Sequence, residues 1–242
     1  MSPISCSMSE RIHWVDAWRG LALWLMLAYH LLFDFLCFGW MTWEQYNSVP
    51  MFLLERFIAY SFILCAGISA RLSRSNIKRG VVTAGAGLLV VAVSFVIGMP
   101  ILFGVLQFLS AAMLLDAVTG RWTDRVPTRL APFLWAGLYA ATLLWTNNTE
   151  VSTKWLFWLG FRYPDFESFD YFPMLPYLFL YLEGTWLGGI VRKHRDAPWM
   201  HQTMPAILTR PGQRTLIVYL LHQPVLFGIC YIVYYALARG KP

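Results

Sequence analysis

Apolar residues run along this chain in seven blocks, separated by short stretches where charge, proline and glycine collect. The blocks lie near 14–38, 50–70, 79–98, 100–119, 131–147, 172–191 and 214–237. Each approaches the roughly 20 residues that an α-helix needs to cross a bilayer. A lipid core offers backbone N–H and C=O groups no partner but each other, so helices are the expected spanning form. The pattern predicts an all-α, multi-pass membrane protein of about seven transmembrane helices, with residues 1–242 forming one domain.

Charge between the blocks orients them. Arg71, Arg74, Lys78 and Arg79 fill the second connection, and Arg121, Arg125 and Arg129 the fourth. Arg192, Lys193, Arg195, Arg210 and Arg214 fill the sixth. The first connection, 39–49, carries Glu44 and no base, and the third is little more than Gly98-Met99-Pro100. The positive-inside rule then predicts a cytoplasmic N-terminus and a C-terminus outside. Lys154, Arg162, Arg239 and Lys241 run against this and are outnumbered. The opening MSPISCSMSERI has no apolar core, so the first block is expected to be an uncleaved anchor. In the outer connection, 148–171, Trp155, Phe157, Trp158 and Phe161 precede Asp165, Glu167 and Asp170. That segment reads either as an interfacial stretch or as a substrate lid.

Composition agrees with the pattern. The chain is 58% hydrophobic and 13% charged, with a mean hydropathy of +0.52, too apolar for an ordinary soluble domain. The net charge of +6 is confined to connections, which points to anionic lipid headgroups and topology rather than nucleic acid. Cys6, Cys37, Cys65 and Cys230 have no CxxC spacing and no nearby histidine, so free thiols and no metal are expected.

The first block holds the candidate chemistry. DAWRGLALWLMLAYHLLFD, residues 16–34, carries Asp16 and Arg19 at one end and His30 and Asp34 at the other. At about 100° per residue, Arg19 and His30 lie three turns plus roughly 20° apart, on one face. Asp16 and Asp34 fall within about 40° of the same line. Such a stripe is too costly to face lipid and should line a protein interior. Arg56, Gln107 and His30 lie at matching depths, roughly 9 to 12 Å from the predicted outer helix ends. His222 and Gln223 lie deep in the last block and Glu183 near the middle of the sixth. Bland readings stand beside the functional ones: an Asp34–Arg56 ion pair, a local Asp16–Arg19 pair, and His222 as interhelical glue. His30 is the favoured base, one turn from a carboxylate able to fix its tautomer.

These residues carry a family resemblance. Arg19 and His30, with ten residues between them, resemble the signature of acyltransferase-3 type membrane enzymes. The fuller strings DAWRGLA (16–22) and YHLLFD (29–34) resemble the heparan-alpha-glucosaminide N-acetyltransferase catalytic-domain family, in its short bacterial form. RFIAYSFILCAGIS (56–69), FGVLQFL (103–109), DYFPMLP (170–176) and LIVYLLHQP (216–224) extend the likeness over nearly the whole chain. The resemblance implies transfer of an acyl group, usually acetyl, from cytoplasmic acyl-CoA to an amino or hydroxyl group of a glycan across the membrane. It implies His30 and Asp34 as catalytic residues, with Asp16, Arg19, Arg56, Gln107, Asp170, His222 and Gln223 binding substrate. The expected setting is the bacterial cytoplasmic membrane, with acetyl-CoA or another acyl-CoA as donor and a homodimer as a common form. Gln107 stands where the family often has His.

Geometry fits that implication. Arg19 and His30 are about 16 Å apart along the helix, comparable to a pantetheine arm. Arg19 can hold CoA phosphates while the thioester reaches His30. His30 then acts either as general base or as a transiently acetylated nucleophile. The rival readings from other classes are a proton-coupled transporter or flippase, and a scaffold whose polar set only packs helices.

Overall fold

The computed structural model describes residues 12–197, 200 and 202–239. Cys6, His201 and Lys241 lie outside the described residues. A helix occupies each of the seven predicted blocks: α1 (His13–Cys37), α3 (Val49–Leu72), α4 (Asn76–Val96), α5 (Val105–Thr123), α6 (Ala131–Asn147), α7 (Met174–Lys193) and α9 (Thr215–Arg239). Between them lie the short helices α2 (Trp43–Tyr46) and α8 (Ala206–Gln213) and a 3-10 turn at Lys154–Leu159. The described residues form no strand; Phe103 and Tyr171 make one isolated bridge. The protein is all-helical.

Five helices, α1, α3, α4, α7 and α9, are long and apolar enough to cross a membrane. At 17 residues α6 spans about 25 Å, a little short of a typical hydrocarbon core. The apolar run of α5 is interrupted by Gln107, Ser110, Asp116 and Thr119. Local chemistry sets the ends. Ser75 caps α4 by accepting from Lys78 N at 3.2 Å, and Thr42 and Gln45 form a capping box on α2. Cys37 and Cys230 are free thiols.

The chain divides into two compact units, one of residues 1–48 with 193–242 and one of residues 49–192. In the first, α8 crosses α1 with backbone against backbone. A Cβ on Gly20 would sit 1.7 Å from Leu208 O, and one on Gly212 would sit 1.9 Å from Asp16 O. Trp24 Nε1 donates to Ile207 O at 2.9 Å across the same crossing. In the second unit, α3 and α7 meet in the same way, where a Cβ on Gly67 would lie 2.3 Å from Tyr181 O. Small residues allow this approach, and close packing is the main attraction between helices in lipid. Arg71 on α3 ties down α5, lying 3.3 Å from Asp116 and 3.0 Å from Asp124.

The 148–171 connection is anchored to the start of α5. Asp170 Oδ2 accepts from Val105 N at 3.0 Å, capping the helix from a distant segment. Phe172 N donates to Phe103 O at 2.8 Å beside it. Burial pushes the Asp170 carboxyl from an ordinary 3.8 up to about 6, against the pull of the Val105 N–H.

Three outcomes are expected. Gly20→Ala lowers the stability of the detergent-solubilised protein by about 1–3 kcal/mol in thermal unfolding, through overpacking of α1 on α8. Gly137→Ala, whose added Cβ meets nothing within 4 Å, gains up to about 1 kcal/mol instead. Because the Asp170 pKa is raised on folding, its contribution is fully present below pH 3.8 and is lost as pH rises through about 6. Melting temperature should therefore carry a fall across that window that Asp170→Asn removes.

Candidate functional site

The polar stripe of α1 finds its partners within its own unit. At one end, Arg19 Nη1 donates to Asp16 Oδ1 at 3.2 Å and to Gly212 O at 3.0 Å. Arg19 thus closes the α1–α8 crossing while remaining partly exposed, with 20% of its side chain accessible. The local Asp16–Arg19 pair expected from an i,i+3 spacing is present.

The other end of the stripe meets α9. The half-buried His30 and the buried His222 lie edge to face, with ring centroids 4.6 Å apart. His30 Nδ1 lies 2.9 Å from Met26 O, one turn back on α1. A carbonyl can only accept, so Nδ1 carries the proton and Nε2 presents its lone pair. His222 is held in the same way, Nδ1 donating to Tyr219 O. Asp34 is fully buried and accepts from Gln223 Nε2 at 2.7 Å. Tyr29 packs edge-on to His30 at 5.8 Å, and Tyr219 against His222 at 5.4 Å.

This arrangement differs from the expected one in a specific way. The carbonyl of Met26, rather than the Asp34 carboxylate, fixes the tautomer of His30. Asp34 instead pins Gln223, and through it the stretch of α9 that carries His222. The physical reason is helical geometry: an imidazole folded back on its own helix reaches the carbonyl of the preceding turn. Beside His222, Leu27, Ile217, Val218, Leu221, Val225 and Leu226 line a shallow apolar groove of about 260 Å³.

The remaining predicted residues lie in the second unit, each with its own partners. Arg56 Nη1 donates to Tyr177 OH, and its guanidinium lies 3.5 Å from Glu55 and over the Phe52 ring. Tyr60 and Tyr139 share a hydrogen bond next to Tyr177. Gln107 Nε2 donates to Gly87 O at 3.0 Å, joining α5 to α4. Asp170 is engaged as the cap of α5. Sequence reasoning missed the tyrosines around Arg56, because their spacing across three helices has no local signature. It missed Gly212 as a partner of Arg19 because α8 is short and polar. Among the described residues, no three His, Cys, Asp or Glu side chains gather as a metal site.

A search of curated proteins and a search of solved structures each return no match. Residues 11–224 match the family described as "Heparan-alpha-glucosaminide N-acetyltransferase, catalytic". That match takes in α1, with its Arg19 and His30, and reaches His222 and Gln223 on α9. The chain therefore belongs to the heparan-alpha-glucosaminide N-acetyltransferase catalytic family of membrane acetyltransferases.

Proposed function

We propose that the protein moves an acetyl group from cytoplasmic acetyl-CoA, or another short acyl-CoA, to an amino or hydroxyl group of a sugar on the far side of a bacterial cytoplasmic membrane. In this reading α5 and α6 also cross, giving seven spans with the N-terminus in the cytoplasm. The observation that carries the reading is His30: an imidazole inside an apolar helix, held as the Nδ1–H tautomer and leaving Nε2 as a base.

The chemistry follows from that tautomer. The acceptor nitrogen or oxygen attacks the thioester carbonyl carbon while His30 Nε2 removes its proton. The tetrahedral intermediate collapses, the C–S bond breaks and the sulfur departs as thiolate, which is protonated to CoA. Arg19, about 16 Å along α1, holds the donor phosphates from its position at the α1–α8 crossing. Asp34 acts as a positioning residue through Gln223.

The test is direct. Purified protein is incubated with acetyl-CoA and a panel of amino sugars, and free CoA thiol is measured. Wild type should release CoA only with acceptor present, and His30→Ala should fall by about 10²- to 10⁴-fold, the usual contribution of a general base. Equal turnover by the variant, or none by wild type with any acyl-CoA, would defeat the proposal.

A further inference from the structure

Acetyl transfer moves one proton from the acceptor to the leaving sulfur, and α9 presents a second group able to carry it. His222 touches His30 with ring centroids 4.6 Å apart at an interplanar angle of 87°. Its Nδ1–H donates to Tyr219 O, so its Nε2 also bears a lone pair rather than a proton. In that tautomer His222 cannot donate to an oxyanion. It can accept a proton.

His222 Nε2 is buried and meets no hydrogen-bond donor among the described residues. Buried polar atoms are normally paired, so a ring nitrogen left open beside a proposed base calls for an explanation. A histidine kept only as interhelical glue would use Nε2 in a bond across the interface. The amide of the next residue, Gln223 Nε2, donates instead to Asp34 at 2.7 Å. Among the described residues, the aromatic ring of α1 that meets His222 is His30 itself.

We propose that His222 is a second catalytic residue, forming with His30 a proton relay. The inference rests on the acetyltransferase reading above. His30 Nε2 takes the proton as the acceptor forms its bond to the acetyl carbon. The two ring nitrogens make no direct hydrogen bond, so the proton passes through one bridging water to His222 Nε2, and His222 delivers it to sulfur as the C–S bond breaks. Both rings return to their Nδ1–H tautomers, the acceptor has lost one hydrogen, and CoA leaves as the thiol. The balance needs no further reactant.

The experiment separates relay from packing. His222→Phe keeps an aromatic ring against His30 and removes Nε2. With acetyl-CoA and an amino sugar, kcat of His222→Phe should fall by about 10²-fold or more, the scale of general acid–base assistance. With acetyl-seleno-CoA, whose selenolate leaves without a proton, the variant should recover to within about tenfold of wild type. His30→Gln should stay slow with both donors. Activity of His222→Phe near wild type, or the same loss with both donors, overturns the relay. If wild type transfers and His222→Phe does too, the relay alone fails; if wild type transfers nothing, the acetyltransferase reading fails and the relay with it. Should His222→Phe not fold, judged by its thermal unfolding, His222→Gln carries the same comparison.

Discussion

The first helix depends on one constraint: a polar group inside a bilayer must find its partner within the protein. α1 carries four ionisable side chains on one face, and its own unit answers them. Arg19 and Asp16 are met by each other, and Arg19 also donates to the Gly212 carbonyl, which only a glycine crossing brings close enough. Asp34 is met by Gln223, and His30 by the turn beneath it and by the edge of His222. The same contacts that make the stripe tolerable hold α8 and α9 in place. In the proposed reaction, packing and chemistry thus draw on one set of interactions.

In the proposed reaction that coupling gives Arg19 two roles. Its guanidinium closes the α1–α8 crossing, while a part of it stays accessible at the predicted cytoplasmic mouth. A residue that anchors a ligand serves better when its rotamer is already fixed, because less side-chain entropy is lost on binding. Asp16 and Gly212 provide that fixation.

Much of this was legible in the sequence, for identifiable reasons. Helix periodicity placed Arg19, His30 and Asp34 on one face, and the length of each apolar block located every long helix. α8 was invisible because Thr209, Arg210 and Pro211 break the apolar pattern, so 206–213 read as part of a basic loop. The partners of His30 and Asp34 were misassigned because sequence spacing weighs side chains and overlooks backbone acceptors such as Met26 O. Arg56 was recognised as costly, yet Tyr60, Tyr139 and Tyr177 come from three different helices and meet only through tertiary packing. Asp170 was grouped with the binding residues by family likeness, whereas its carboxylate serves a backbone N–H at the start of α5.

In the proposed reaction an acetyl group passes from cytoplasmic acetyl-CoA to a sugar across the membrane, with His30 as the base that takes the acceptor's proton. Proteoliposomes with the amino sugar sealed inside and acetyl-CoA supplied only outside test it most directly. The account predicts acetylated sugar accumulating inside, matched one for one by CoA released outside, in wild type and not in His30→Ala. Sugar crossing the bilayer unmodified, with no CoA released, would contradict it.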